Sequence, residues 1–478
     1  MADRRYRFGP RDTRGMVAGW SAQQLLAVLL GMSCAVLAAR SLPQGVGLFV
    51  AVAIAMMSLA LPKWSFSGRS AGEWCSVAIA WQLKRILSPR RPAGALCAAT
   101  VFEGGRLSKG PMPGRATGAL AGLSVSEVCF GGRRLGMVWD SSGGRLTAVI
   151  ALASSPALLG ERADRSRLAD AWAATLASAA GEGSKMARLQ WIQRAMPASL
   201  WRFEPEGAVQ GPALSSYLTL LAEEEQVGWT QEVFLAVSVA SGRGGTERAA
   251  RDLADEAGRL GTELQRAGIM VLGSLSGPAV AQMLRRSFDT SHRLRKEPGE
   301  DLSPDGGGGG SPWPTAIREH WNACQADGTW HAQYFVAEWP RTEVGPDFLA
   351  PLLCADVRRS MSVVLEPIKP SRAARQAERA RTAEVAEARL ASRGGFLTSE
   401  RRRREAFEAG EKARELAAGH SEYRFAAYVT VTADDRAGLE VAARSIEGAA
   451  RQVGVDLRRI YGQCARALGY ALPCARGL

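Results

Sequence analysis

The chain has 478 residues, 46% of them hydrophobic, which is enough apolar content for two or three folded domains and excludes a largely disordered protein. Its formal net charge is +13, from 60 Lys+Arg against 47 Asp+Glu, and this balance suits an anionic lipid surface or nucleic acid as a partner. The eight cysteines form no C-x-x-C pair, so we expect a reducing compartment and no disulfide framework.

Two uncharged apolar runs follow each other near the N-terminus. Met16 to Ala39 and Ser41 to Pro62 contain no Asp, Glu, Lys, Arg or His, and only Arg40 separates them. Each run is long enough for a helix across a bilayer core of about 30 Å, which takes roughly 20 residues. A signal peptide would need a shorter apolar core and a cleavage site, without a second run directly behind it. The sequence therefore predicts transmembrane helices at about 16–39 and 43–62.

Basic residues flank this predicted hairpin on both sides, whereas the turn offers only Arg40. They are Arg4, Arg5, Arg7, Arg11 and Arg14 before the first run, and Lys63, Arg69, Lys84, Arg85, Arg90 and Arg91 after the second. Because basic flanks stay on the cytoplasmic side, the sequence predicts a protein of the cell (inner or plasma) membrane with both termini cytoplasmic.

A third helix is predicted at 70–87, and with the two spans it completes a membrane anchor at 1–92. Tryptophans and basic residues around an amphipathic helix are typical of a membrane interface. The predicted interface residues are Trp64, Trp74, Trp81, Lys84 and Arg85. The alternative is an ordinary helix that packs on a protein core.

From residue 131 onward, a strand–helix–strand pattern recurs four times. The predicted strands are Leu146 to Ser154, Met186 to Arg194, Glu232 to Ala240, Ile269 to Gly273, Ala332 to Trp339, Met361 to Leu365, Tyr423 to Thr432 and Val455 to Arg459. Two such units in tandem make the split βαβ, or ferredoxin-like, arrangement. The predicted fold class is α+β: a two-helix transmembrane hairpin followed by two ferredoxin-like cytoplasmic domains, at 131–290 and 316–478.

Two further segments interrupt this pattern. Residues 291–315, rich in Gly, Pro and acidic side chains, are predicted to be a flexible linker, since this composition cannot supply a core. Residues 370–420 are highly charged and helical in composition, with a break at Gly394-Gly395. We expect them to form a helical hairpin inserted in the second domain.

No residue pattern predicts a catalytic, cofactor or metal site. A phosphate-binding loop needs Gly-Lys, and that dipeptide is absent from the sequence. His320 and Cys324 lie four residues apart but have no second pair of ligands to complete a metal site. The chain is therefore predicted not to be an enzyme and to need no cofactor.

One basic cluster is a candidate contact site. Arg401, Arg402, Arg403 and Arg404 could contact nucleic-acid phosphates or the acidic face of a partner protein. The alternative is a solvated helix start balanced by Glu405, Glu408 and Glu411, which follow closely.

Two parts of the sequence resemble components of one kind of machine. The hairpin, followed by Gly68-Arg69-Ser70-Ala71-Gly72-Glu73-Trp74, resembles the small two-span inner-membrane subunit of conjugative, type IV-like secretion systems. The later part resembles the N-terminal, non-motor domain of the conjugation ATPase. Its matching segments are the strand Tyr334 to Pro340, the helix Phe348 to Leu353, the strand Met361 to Pro367, the charged hairpin, and the strand Phe425 to Thr432.

The resemblance implies an actinobacterial integral membrane protein of conjugation or type IV-like secretion clusters. It would be a non-enzymatic, membrane-anchored structural subunit that docks a separate hexameric ATPase, since no nucleotide-binding fold is recognised in this sequence. The implied partners are the lipid bilayer, that ATPase, other membrane subunits and further copies of the chain. The alternatives are a membrane-tethered protein that binds DNA during its transfer, and a component of a type VII secretion complex, whose two-span subunit with a cytoplasmic domain is similar in outline.

Overall fold

The computed structural model describes residues 8, 22–41, 43–60, 65–66, 69–87, 101–103, 106–107, 116, 118–130, 133–154, 162–197, 229–242, 245–288, 312–379, 382, 407, 410–411, 414–415 and 418–478. Its helices are α1 (Ala22–Ser41), α2 (Gln44–Ala60), α3 (Ala71–Leu87), α4 (Arg162–Ala179), α5 (Gly245–Arg266), α6 (Gly277–Phe288), α7 (Ala350–Leu353), α8 (Arg436–Gln452) and α9 (Cys464–Leu468). Residues 370–379 are also helical.

Most strands belong to one sheet. In chain order they are β1 (Ser65–Phe66), β2 (Arg69–Ser70), β3 (Val101–Glu103), β4 (Arg106–Leu107), β5 (Leu123–Phe130), β6 (Arg133–Asp140), β7 (Arg145–Leu152), β8 (Met186–Pro197), β9 (Trp229–Ala240), β10 (Val271–Ser274), β11 (Ile317–Glu319), β12 (Cys324–Ala326), β13 (Thr329–Glu338), β14 (Arg359–Ile368), β15 (Glu422–Ala433) and β16 (Asp456–Arg459). In the part of the chain that is described, β1 and β2 pair only with each other, and the other fourteen strands form a single sheet.

The sheet runs in the order β11-β12-β13-β15-β14-β8-β9-β7-β6-β5-β3-β4, and all its described pairings are antiparallel except that of β3 with β5. β10 pairs with β7 beside β6, and β16 pairs with β13 beside β12. The fold class is therefore α+β with a large, mainly antiparallel sheet. The predicted first domain at 131–290 leaves out β5, which pairs with β6 along its length.

Two halves of this sheet have the same connectivity. The first half runs β7-α4-β8-β9-α5-β10, and its strands lie in the order β10-β7-β9-β8. The second half runs β13-α7-β14-β15-α8-β16, and its strands lie in the order β16-β13-β15-β14. Each half therefore has the strand order of the split βαβ arrangement. A β-meander precedes each half, formed by β5 and β6 in the first and by β11 and β12 in the second.

The long helices α5 and α8 end in the same way. Gly268 and Gly454 follow them with positive φ angles of 79° and 71°. The next amide in each half reaches back into the helix, from Ile269 N to Leu264 O and from Val455 N to Ala450 O, both at 2.9 Å. Glycine is needed in this left-handed cap because a Cβ atom would strain it. The two caps align Leu253 of α5 with Leu439 of α8.

The halves join edge to edge. β8 pairs antiparallel with β14, from Ala195 with Arg359 to Leu189 with Leu365, and we call this pairing the seam. One face of the sheet carries a separate core in each half, built on α4 and α5 in the first half and on α7 and α8 in the second. The other face carries one core shared by both halves, which includes α6, α9 and the segment to Cys474. The seam and this shared core make the halves one structural unit.

The N-terminal hairpin is where the structure departs from the sequence prediction. Among the described residues, no helix is both long enough and apolar enough to cross a membrane. α2 has 17 residues, or about 25 Å of helix against a bilayer core of about 30 Å. α1 has 20 residues but includes Gln23, Gln24 and Arg40, so Arg40 lies in the helix and not in the turn. The predicted transmembrane hairpin and the predicted membrane localisation, with cytoplasmic termini, are therefore wrong.

Candidate functional site

Small residues hold α1 and α2 together. A Cβ atom at Gly31 would lie 2.4 Å from the Cβ of Ser58, so the helices approach each other too closely for any larger residue there. Ala35 and Ala51 are buried at 5% and 9% exposure. The hairpin is thus closed along its inner side by small side chains, and its large side chains are not used there.

The outer side of the hairpin carries those large apolar side chains. We call the set the apolar hairpin surface; its members are between 42% and 77% exposed, and they are Leu29, Leu30, Met32, Val36, Leu37, Val46, Leu48, Phe49, Val52, Met56 and Met57. An exposed apolar group of this size on a folded protein marks an interaction surface. It is the first candidate functional site.

An aromatic cluster attaches α3 to the second half of the sheet. The rings of Trp74 and Trp81 lie 6.1 and 5.4 Å from that of Trp321, and Trp74 lies 5.2 Å from Tyr461. Gly462 fits between α3 and Trp321, since a Cβ there would lie 3.0 Å from both Trp321 and Val77. Trp74 and Trp81, predicted at a membrane interface, thus have protein partners.

The side chains of the other predicted interface residues are not among those described. Lys84 and Arg85 belong to α3, but their side chains fall outside the description, and Trp64 lies outside the described residues altogether. Arg401, Arg402, Arg403 and Arg404 are also outside the described residues, so their predicted contact with phosphate or a partner stays a prediction.

The base of the charged insertion is fixed to the first half. Lys369 Nζ donates to the carbonyls of Gly181 and Ser184, and Ser371 N donates to Glu182 at 2.8 Å. On the returning strand, Tyr423 OH donates to Leu176 O at 2.5 Å. The insertion leaves the second half but begins and ends against α4 and the loop after it.

The final residues of the chain lie across the seam. Arg188 of β8 donates to Glu366 of β14 at 2.9 Å and to Ala475 O at 3.0 Å. Gln190 donates to Ser362 Oγ at 2.7 Å and accepts from Ala475 N at 2.8 Å. Each of these side chains ties β8 to β14 and to the C-terminal segment.

A buried ion pair fixes the same segment to β6. Arg476 donates to Asp140 at 2.6 and 3.0 Å, and only 2% of the Asp140 side chain is exposed. Burial alone would raise the pKa of Asp140, but hydrogen bonds from Arg476 and Ser142 outweigh it and lower that pKa to about 2. The carboxylate therefore stays ionised at neutral pH and stabilises this contact.

A further aromatic contact involves the N-terminal region, and sequence reasoning missed it. The Phe8 ring stacks on Trp339 at 5.0 Å and lies 5.5 Å from Phe348. Trp339 and Phe348 follow β13 and precede α7 in the second half. The available signal in the sequence was an aromatic residue in a basic N-terminal segment. That signal does not indicate which residues the ring contacts.

The cysteines and histidines form no metal site in the portion that is described, where no three His, Cys, Asp or Glu residues are arranged to hold an ion. His320 lies against Trp330, with ring centroids 4.8 Å apart. Cys324 is fully buried, and burial raises the pKa of its thiol. The predicted absence of metal, cofactor and catalysis stays a prediction.

No protein-family model matches the sequence, and a search of curated proteins found no significant match.

Proposed function

We propose that the chain is a non-enzymatic structural subunit of a bacterial conjugation or type IV-like secretion machine, and that it docks a separate ATPase. The observation that carries the proposal is the apolar hairpin surface. Its members extend along both helices and are at least 42% exposed. Burying such side chains against another protein gives about 25 cal/mol per Å² of apolar area.

The inner packing of the hairpin supports an assembly role. Gly31, Ala35, Ala51 and Ser58 already close the contact between the helices, so the outer side chains add nothing to the fold of the hairpin itself. A fold that keeps large apolar side chains where its own packing does not need them is suited to a permanent partner. The aromatic cluster at Trp321 connects α3, which follows the hairpin, to the sheet.

The choice of an ATPase as the partner rests on resemblance. The segments at 334–340, 348–353 and 425–432 resemble the non-motor domain of a conjugation ATPase. In this structure they lie in or beside β13, α7 and β15 of the second half. The basic run Arg401–Arg404 is proposed as an additional contact to acidic groups of that partner.

Co-purification with a defined partner tests the proposal. The full chain is produced together with a neighbouring gene product that contains a phosphate-binding loop, and the recovered ATPase activity is measured. We expect the double variant Leu48→Ser, Phe49→Ser to recover at least tenfold less activity. The matched control Val441→Ser changes an apolar side chain that is 59% exposed on α8, and should recover the wild-type amount.

Two results would contradict the proposal. One is ATP hydrolysis by the purified chain alone, above that of a heat-inactivated sample, because a docking subunit has no hydrolysis of its own. The other is equal recovery of the ATPase by wild type and double variant, which would remove the apolar hairpin surface from the contact.

A further inference from the structure

A row of polar side chains crosses the seam beneath α6. Residues directly opposite each other on antiparallel strands share one face of a sheet. The cross-strand partners here are Gln333, Thr430, Ser360, Arg194 and Glu232, in that order, on β13, β15, β14, β8 and β9. Gln333, Thr430 and Arg194 are 1%, 4% and 4% exposed, so the row is largely buried.

The members of this row differ in their hydrogen bonding. Arg194 has several partners: it donates to Glu232 at 2.6 Å, to Met283 O at 2.9 Å and to Ser287 Oγ at 2.7 Å. In the middle, the hydroxyls of Ser360 and Thr430 are buried and have no hydrogen-bond partner. Buried hydroxyls are almost always paired, so these two leave room for a hydrogen-bond partner that the described residues do not supply.

These hydroxyls line a small pocket that opens to solvent, which we call the seam pocket. Its floor is Ser360, Thr430 and Thr432, and part of its wall is Leu468 and Leu472. The described lining also contains four arginines and no carboxylate; the arginines are Arg194, Arg286, Arg358 and Arg359.

The arginines are incompletely neutralised. Arg194 and Arg286 share Glu232, at 2.6 and 3.7 Å, and Arg358 pairs with Asp434. Arg359 lies on the other face of the sheet from Ser360, and its side chain donates there to the carbonyls of Ala355 and Val357. Three arginines therefore share two carboxylates, Glu232 and Asp434, and the region around the pocket has more positive than negative charge.

Water and an anion would satisfy this site to different degrees. Water molecules could pair with the two hydroxyls, but they would leave the excess positive charge in place. An oxyanion accepts hydrogen bonds from hydroxyls and guanidinium groups together and also neutralises the charge. We propose that the seam pocket binds an oxyanion of the phosphate class, as free phosphate or as the phosphate group of a larger molecule. Ser360 and Thr430 donate to it from the floor, and Arg286 donates from the wall.

Ligand-dependent stability tests this inference with inorganic phosphate as the probe. The Tm of the full chain is followed as phosphate replaces chloride at constant ionic strength. We expect a saturable rise in the Tm of the wild type. The double variant Ser360→Ala, Thr430→Val keeps the shape of the floor, and should raise the apparent Kd at least tenfold. Thr262→Val is its matched control, since Thr262 is an exposed threonine of α5.

Arg286→Gln tests the contribution of charge, with Arg341→Gln as the control because 81% of that side chain is exposed. We expect the first to raise the Kd at least tenfold and the second to leave it unchanged. Phenyl phosphate serves as a probe for a phosphate ester; saturable stabilisation by it alone would mean that the phosphate belongs to a larger ligand. Equal melting in phosphate and chloride, with no effect of phenyl phosphate, would overturn the inference and leave a pocket filled by water. Binding that both floor substitutions leave unchanged would overturn it as well.

Discussion

The two halves of the sheet share one strand order but differ in the segments that join their strands. The first half connects β7 to β8 through α4, with 18 residues, whereas the second connects β13 to β14 through α7, with four. The second half instead carries the charged insertion between β14 and β15. Both halves keep the long helices α5 and α8 and their glycine caps. The strand pairings and these two helices therefore define the fold, and the other connections are free to vary.

The largest expected effect comes from breaking the seam, where the halves meet. Ile192 is fully buried in the shared core and pairs across the seam with Ser362. Ile192→Asp would bury an unpaired charge and should destabilise the protein by more than about 4 kcal/mol. Chemical denaturation should show the loss in one transition for both halves. Val441→Asp, at an exposed site on α8, should cost less than about 0.5 kcal/mol. A transition that survives unchanged in Ile192→Asp would mean that the halves unfold independently.

The next effect compares equivalent positions in the two halves. Leu253 and Leu439 are both fully buried, each against its own half of the sheet. Leu253→Ala and Leu439→Ala should each destabilise by about 2–5 kcal/mol, through lost burial and the cavity left behind. The urea midpoint measures both. Similar shifts of a single urea midpoint would support the equivalence of the two positions. If one variant left the midpoint unchanged, only the other helix would contribute to the stability of the core.

An acid titration separates the Asp140–Arg476 ion pair, on β6 before the first half, from an ion pair of the second half. The pKa of Asp140 is lowered to about 2, so its contribution to stability is complete above pH 4 and disappears as the pH falls from about 4 to 2. A shift of this size corresponds to about 2.5 kcal/mol at neutral pH. Asp140→Asn should lower the free energy of unfolding at neutral pH by that amount. Between pH 4 and 2, the stability of this variant should depend less on pH than that of the wild type.

The control is Glu440, which pairs with Arg459 in the second half but is 38% exposed. The hydrogen bond from Arg459 lowers the pKa of Glu440, so its stabilising effect also weakens on acidification. Because solvent screens this pair, Glu440→Gln should cost clearly less than Asp140→Asn. Urea denaturation at pH 7 and pH 3 measures the loss of unfolding free energy in both variants. An equal loss in the two would contradict the claim that the buried pair stabilises the protein more than the exposed one.

The smallest expected effect distinguishes two kinds of glycine. Gly268→Ala and Gly454→Ala place a Cβ at a positive φ angle, and each should destabilise by about 1 kcal/mol. Gly258 of α5 and Gly448 of α8 have open space around them and lie within helices, so Gly258→Ala and Gly448→Ala should stabilise by about 0.5–1 kcal/mol. Thermal unfolding should give opposite signs for the two pairs. The same sign in both would mean that the caps do not define the helix ends.

Much of the sheet was predictable because its signals are local. The strand predicted at Glu232 to Ala240 lies within β9, and that at Tyr423 to Thr432 lies within β15. The strand–helix–strand pattern also predicts a helix after each of these strands, and the structure has α5 and α8 there. Apolar periodicity and a terminal glycine are encoded in a short window, and these segments contain both.

The seam and its sites depend on contacts that no short window contains. Pairing of β8 with β14 joins segments far apart in the chain, and neither strand indicates which partner covers its edge. Polar residues within apolar strands, such as Gln190, Arg194 and Thr430, were the available signal, but they gain meaning only when the register aligns them. The transmembrane prediction rested on uncharged runs alone, and among the described residues no helix is both long and apolar enough to cross a membrane.

The seam also has an evolutionary consequence. Antiparallel pairing of two equivalent edge strands is the contact that a two-fold symmetric dimer of one small unit would make. In this chain, both units lie in one polypeptide, so a substitution in one is not repeated in the other. The first unit could therefore keep the long helix α4 while the second gained a charged insertion in another connection, and the site between them could become asymmetric. A symmetric ancestor would have had to change both copies at once.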